Sequence, residues 1–143
     1  MKVSQTISFH YDVPGDDFTR AGEASGNVKR SLKQLGFPPD VIRRVSIALY
    51  EGEINMVIHA HGGEITVEIT PDEILMSLED QGPGIPDIEL AMQEGWSTAK
   101  DEVRNLGFGA GMGLPNMKKY TDSMELTSTV GVGTTVRMSV SIA

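Results

Sequence analysis

Two short stretches in the middle of the chain, residues 65–69 and 74–78, alternate apolar and polar side chains. Pro71 and Asp72 lie between them, a pair typical of a tight turn. Alternation with a period of two places the apolar side chains on one face of a strand. We therefore expect a β-hairpin whose second strand ends just before Asp80.

Three further stretches have a weaker pattern of the same kind. Residues 3–13 predict a strand near the start of the chain, and residues 124–129 and 134–141 predict two strands near its end. Gly131 and Gly133 flank the point where the last two strands would turn. The sheet should therefore consist mainly of strands joined by hairpins.

Helical spacing of apolar residues appears in the other segments. A first helix is expected from about Asp16 to Leu35, and a long, central one from Pro39 to the stop at residues 61–63. Shorter helices are expected over residues 86–93 and from the glycine-rich segment to about Thr121. Together these elements predict an α+β two-layer sandwich, with a mixed, mostly antiparallel sheet covered on one face by helices.

The composition limits the number of domains, the chemistry and the compartment to be expected. A chain of 143 residues with 39% hydrophobic content fits one domain spanning residues 1–143. It contains no cysteine, which excludes disulfides and thiolate catalysis. No apolar run approaches the ~20 residues of a membrane span, and the first residues lack the apolar core of a signal peptide. We therefore expect a cytoplasmic protein with no membrane partner.

The distribution of charge says more than the net charge of −8. Residues 45–99 contain no Lys or Arg but many Asp and Glu, so this half would repel nucleic acid. For the same reason, a bound polyphosphate would need a divalent cation beside the acidic half. Lys100 and Arg104, which precede the glycine-rich segment, could contact the phosphates.

That segment spaces Gly107, Gly109, Gly111 and Gly113 two residues apart, directly before a helical pattern. Glycine lets main-chain N–H groups approach an anion, and the start of a helix favours negative charge. A linker, a dinucleotide loop and a Walker-type loop are alternatives. The Gly-Lys-Ser/Thr ending of a Walker loop is absent, and the run follows the acidic elements instead of the first strand. Its late position favours a lid over phosphates.

Two other patterns carry candidate chemistry. Glu51 and Asn55 are four residues apart on the long helix, so they project from one face and could address one ligand, whereas Glu53 points away. An amide oxygen suits Mg²⁺ and a carboxylate can accept a proton, although such a pair is often only a helix surface. Asp80 opens the run Asp-Gln-Gly-Pro-Gly-Ile, which is either a plain turn or a fixed acceptor for an exocyclic amine such as that of adenine.

The order of these motifs is more specific than any one of them. Glu-x-x-x-Asn, Asp-x-Gly-x-Gly-Ile, Gly-x-Gly-x-Gly-Met-Gly-Leu and Gly-Thr-Thr follow one another over residues 40–140. This order resembles the GHKL (Bergerat-fold) ATP-binding superfamily of DNA gyrase, chaperone ATPases, histidine kinases and mismatch-repair ATPases. The small size and the run Trp-Ser-Thr-Ala at residues 96–99 resemble the bacterial anti-sigma factor serine kinases and related switch-protein kinases.

The resemblance implies a role for each matching position. Asn55 would hold Mg²⁺ and Glu51 would be the catalytic base, while Asp80 would accept a hydrogen bond from the adenine amine. Thr134 would join a water-mediated contact near Asp80. The other cofactor-binding positions implied are Gly82, Gly84 and Ile85 beside the base, Gly107, Gly109, Gly111, Met112, Gly113 and Leu114 in and behind the lid, and, more loosely, Lys100 and Arg104.

The function implied is that of a Mg-ATP-binding protein serine/threonine kinase. It would phosphorylate a small, STAS-like antagonist protein in a partner-switching system that regulates transcription. The chain has no matching phosphoacceptor helix and no transducer domain, which separates it from complete histidine kinases and from gyrase. A nucleotide-gated binding switch and a histidine-kinase catalytic domain acting in trans stay open as alternatives. The antagonist, the binding of a sigma factor and a homodimer are also left open.

Overall fold

The computed structural model describes residues 6–15, 19–59, 62–82, 84, 92 and 113–142. This part contains five strands: β1 (Ile7–Pro14), β2 (Gly62–Ile69), β3 (Glu73–Glu79), β4 (Ser123–Thr129) and β5 (Gly133–Ser141). They form one sheet in the order β1-β2-β3-β5-β4, and each neighbouring pair is antiparallel. The prediction of an α+β fold with a mostly antiparallel sheet is confirmed.

The predicted central hairpin is β2 and β3, paired so that Ile69 lies opposite Ile74. Thr70 stabilises its turn, because its backbone N–H donates to the Glu73 carbonyl and its hydroxyl accepts the N–H of Glu73. The apolar residues at alternate positions are at most 3% exposed and belong to the core shared with the helices, namely Ile65, Val67 and Ile69 of β2 and Ile74, Met76 and Leu78 of β3. The alternation in the sequence therefore corresponds to one buried and one open face.

The three other strand predictions hold with shifted boundaries. Strand β1 covers residues 7–14, whereas the pattern predicted 3–13; residues 1–5 lie outside the described part. Strands β4 and β5 turn through Gly131, whose φ of 81° is favourable only for glycine. The Val132 N–H closes this turn on the Thr129 carbonyl at 3.0 Å.

Three helices are described: α1 (Glu23–Gln34), α2 (Pro39–His59) and α3 (Gly113–Lys119). Their apolar side chains and those of the sheet form one core. Helix α2 begins and ends where the sequence predicts. No helix in the described ranges is long and apolar enough to cross a membrane. The helix expected over residues 86–93 lies outside the described residues.

The expected start of the first helix was wrong. Residues 19–22 form turns, and α1 begins at Glu23, after Gly22 with a φ of 94°. The physical reason lies in α2: the Glu53 carboxylate accepts hydrogen bonds from the N–H groups of Gly22, Ala24 and Ser25. A side chain from a distant part of the sequence thus caps α1 and sets its first residue.

Candidate functional site

Glu51 and Asn55 lie one turn apart on α2, both half-buried, where the first turn of α3 crosses this helix. The Asn116 side chain of α3 donates a hydrogen bond to Glu51. Gly113, the last glycine of the run, is so close to Asn55 that a Cβ placed on it would lie 2.9 Å from Nδ2 and 3.0 Å from Oδ1. Both predicted side chains of α2 therefore meet the segment that follows the glycine run.

The close approach of the helices depends on Gly52, between the two side chains. A Cβ at Gly52 would lie 2.3 Å from Cδ2 of Leu78 in β3 and 3.1 Å from Cε of Met117 in α3. A larger residue would force the ends of both side chains to move away from α2. The packing role of Gly52 cannot be predicted from the sequence, because it depends on two distant elements.

The Glu51 carboxyl is a suitable proton acceptor. Burial raises its pKa above the ordinary value, and the hydrogen bond from Asn116 opposes part of that rise. A carboxylate with a raised pKa holds a proton more strongly than an exposed one, which improves it as a general base near neutral pH. No motif in the sequence points to Asn116, which lies on a helix of seven residues.

Glu53, two residues further on, has a different environment. It is 2% exposed, and its carboxylate accepts N–H bonds from Gly22 and Ala24 at 3.1 Å and from Ser25 at 2.9 Å. The N-terminus of α1 also favours its negative charge. These donors occupy the carboxylate, so Glu53 supports the fold, as expected for a side chain that points away from Glu51.

Asp80 is fixed at the exit of β3 by the neighbouring strand. Its Oδ1 accepts the N–H of Gly82 at 2.9 Å and that of Thr134 at 3.1 Å, and its own N–H donates to the Thr134 carbonyl at 3.0 Å. Gly133 passes so near that a Cβ would lie 2.2 Å from the Asp80 carbonyl oxygen. A half-buried carboxylate held from two sides has the rigidity that a specific acceptor needs.

The residues around Asp80 are equally constrained. Gly84 has a φ of 79°, and a Cβ there would lie 2.6 Å from the Thr129 carbonyl oxygen, so only glycine fits. The Thr134 hydroxyl is 2.9 Å from that of Ser128, across the β4–β5 pair. Ser128 was missed as a partner, although the predicted hairpin already placed it opposite Thr134. Thr134 thus contacts Asp80 through its backbone and Ser128 through its side chain.

Of the remaining predicted positions, the structure describes one. Leu114, at the start of α3, is buried in the core. Seven others lie outside the described residues, namely Ile85, Lys100, Arg104, Gly107, Gly109, Gly111 and Met112. The described part of the candidate site therefore comprises the α2–α3 crossing and the exit of β3.

A pocket of about 750 Å³ adjoins Asp80, Gly82 and Gly133. Asp12 and Glu64 also line it, and with His10 they bring one ligand atom each within 4.8 Å of one another, although all three are exposed. Neither Glu51 nor Asn55 is among its described lining residues. Its carboxylates would repel a polyphosphate, so this pocket is less suited to phosphates than the α2–α3 crossing.

Residues 40–143 match the family model described as "Histidine kinase-, DNA gyrase B-, and HSP90-like ATPase". The match covers most of the chain and includes α2, α3 and the strands from β2 onward. The chain therefore belongs to this family of ATPases, and the resemblance inferred from the order of its motifs is confirmed.

Similar proteins with assigned functions indicate which class of ATPase this is. The chain is 34% identical over 125 residues to "Serine/threonine-protein kinase RsbT" of Bacillus subtilis (strain 168), a match that covers 85% of this chain and 86% of the relative. It is 38% identical over 111 residues to the "Anti-sigma F factor" of Caldanaerobacter subterraneus subsp. tengcongensis, which covers 74% of each chain. The prediction of an ATP-dependent serine/threonine kinase of the anti-sigma factor type is confirmed.

Solved structures agree on the fold. The RsbU and RsbW domains of Rv1364c from Mycobacterium tuberculosis match 94% of this chain and 32% of that one, with a TM-score of 0.59 and 15% identity. The mycobacterial sensor histidine kinase MprB matches 94% of this chain and 97% of that one, with a TM-score of 0.53 and 18% identity. At these identities the likeness concerns the fold alone.

Proposed function

We propose that this chain transfers the γ-phosphoryl group of Mg·ATP to a serine or threonine hydroxyl of a small, STAS-like antagonist protein in a partner-switching system. The observation that carries the proposal is the meeting of Glu51 and Asn55 with the first turn of α3, directly after the glycine run. Phosphoryl transfer depends mainly on positioning and on neutralising charge. This crossing supplies a base and an oxygen ligand on one rigid helix.

Asn55 would be the magnesium ligand. Its amide oxygen is a hard, neutral metal ligand. Gly113 lies beside it and, having no Cβ, does not crowd the amide. Bound magnesium neutralises charge on the phosphate oxygens. Backbone N–H groups of Gly107, Gly109 and Gly111 would surround the phosphates.

Three further positions around the phosphates belong to the same proposal. Met112 joins the glycine run to Gly113 and would form part of the lid. Lys100 and Arg104 precede the run, and their positive charges would contact the phosphates. Leu114, buried behind Gly113, would hold the end of the lid against the core.

Glu51 would accept the proton of the incoming hydroxyl. As that oxygen bonds to the γ-phosphorus, the bond from phosphorus to the bridging oxygen breaks, ADP leaves and the proton passes to the Glu51 carboxylate. The raised pKa of Glu51 suits this role, because a stronger proton acceptor gives the transfer more driving force. Half-burial also strengthens its interaction with the reacting groups.

Asp80 would select the base. Its Oδ1 already accepts two backbone N–H groups, which orients the carboxylate for a further bond from the exocyclic amine of adenine. Gly82, Gly84 and Ile85 would lie along the base, and Thr134 would complete the contact near Asp80. All these roles would lie within a single domain spanning residues 1–143.

Incubation with [γ-³²P]ATP, Mg²⁺ and purified proteins encoded beside this chain tests the proposal. We expect acid-stable label on a serine or threonine of one such protein, abolished by EDTA. ATP binding without transfer would contradict it and favour a nucleotide-gated switch, while acid-labile label would favour a histidine kinase acting in trans. Co-purification would test whether the chain binds a sigma factor. Sedimentation of the chain alone would test whether it forms a homodimer.

A further inference from the structure

The first turn of α3 rests on α2 through three consecutive contacts. Gly113 lies against the Asn55 amide, Asn116 donates to the Glu51 side chain, and Met117 packs against Gly52. Positions i, i+3 and i+4 share one face of a helix, so a single face of α3 meets Glu51, Gly52 and Asn55 of α2. Any shift of α3 along α2 would change all three contacts together.

The position of α3 is fixed by packing and by its far end. Leu114 is 9% and Met117 1% exposed, so both anchor the helix in the core. After its last turn, the Tyr120 carbonyl accepts a hydrogen bond at 3.2 Å from Nε of Arg44, which belongs to α2. The Asn116 amide is therefore presented to Glu51 from a helix tied to α2 on both sides.

Among the residues that the structure describes, few other polar groups face Glu51 from the elements packed around it. On α2 its titratable neighbours are Tyr50 and Glu53, and Glu53 is occupied by the N–H groups of α1. From β3 the adjoining contact is the apolar Leu78, and the charged residues of α3, Lys118 and Lys119, are exposed in its last turn. Burial raises the pKa of Glu51, and the bond from Asn116 lowers it.

We propose that Asn116 is a positioning residue: from the face of α3 that packs on Gly52 and Asn55, its amide orients the Glu51 carboxylate. The proposal rests on the function proposed above, in which Glu51 takes the proton of the incoming hydroxyl.

The test compares Asn116→Leu with Asn27→Leu. The second variant makes the same change in a half-buried asparagine of α1, which accepts a hydrogen bond from Arg30. Loss of one hydrogen bond to a charged group should lower kcat for transfer by about tenfold in Asn116→Leu, with KM for ATP changed less than about twofold. Asn27→Leu should leave both constants unchanged.

The pH dependence gives the readout that a merely structural role would not move. Without the Asn116 donor the pKa of Glu51 rises further, so the acidic limb of the kcat–pH profile should shift to higher pH. An unshifted limb, or a shift of equal size in Asn27→Leu, would overturn the proposal. If Asn116→Leu fails to fold, Asn116→Ala removes the same donor without adding bulk and carries the same expectation.

A ¹³C NMR titration of glutamate carboxyls separates this proposal from the kinase proposal. The Glu51 signal, assigned by its loss in Glu51→Gln, should titrate at higher pH in Asn116→Leu than in the unchanged chain. This measurement needs no substrate. If the unchanged chain transfers no phosphate, the proposed function fails, while an unmoved Glu51 titration would refute the role of Asn116 alone.

Discussion

Glu51 and Glu53 lie on two sides of α2 and have different environments. Towards α1, Glu53 is 2% exposed and accepts three backbone N–H groups. Towards α3, Glu51 is half-buried and receives the amide of Asn116. Burying a carboxylate is costly unless donors replace the lost water. Glu53 has three backbone donors and supports the fold, whereas at Glu51, where Asn116 is the donor among the described residues, burial still raises the pKa.

The largest effect is expected from removing the carboxylate that is proposed as the base. Glu51→Ala should lower the rate of phosphoryl transfer by about 10²- to 10⁴-fold, because a general base contributes on that order. ATP affinity, measured by isothermal titration calorimetry, should stay within about threefold. Glu125→Ala, on the exposed edge strand β4, serves as the control and should transfer normally. Unchanged transfer in Glu51→Ala would show that Glu51 is not the base.

Substitution of Glu53 should lower the stability of the chain and change its activity little. Glu53→Leu leaves three N–H groups at the start of α1 without their acceptor and should lower the free energy of unfolding by about 2 to 4 kcal/mol. Urea denaturation measures this loss, and kcat per folded molecule should change less than about threefold. A loss below about 0.5 kcal/mol, or a collapse of kcat in folded protein, would remove the distinction between the two glutamates.

A smaller effect is expected from adding one methyl group on each side of α2. In Gly113→Ala the new Cβ would press on the Asn55 amide, and we expect about tenfold weaker binding of Mg·ATP, since small displacements of a ligand group are costly. Gly26→Ala on α1 is the matched control, because a Cβ there meets no atom within 4 Å. It should stabilise the chain by about 0.5 to 1 kcal/mol. Equal nucleotide affinity in both variants would argue against crowding at Asn55.

How far the sequence predicts this molecule depends on the range of the interactions involved. Helix α2 and the β2–β3 hairpin follow from local periodicity, and they bring Glu51, Asn55 and Asp80 to the predicted elements. The start of α1 could not be predicted, because its cap is a side chain about thirty positions away. The contact of Asn116 with Glu51 was invisible for a related reason, since it requires knowing how a seven-residue helix crosses α2.

The position of β3 in the sheet determines how well Asp80 is ordered before a ligand binds. With β2 on one side and β5 on the other, β3 is the middle strand, so its amide hydrogens should be among the last to exchange with solvent. Asp80 extends directly from this slowly opening strand, and β5 holds its carboxylate. Fraying of the outer strands β1 and β4 would therefore leave the acceptor in place. A nucleobase would meet a group that is already ordered, and its binding would cost little conformational entropy at that point.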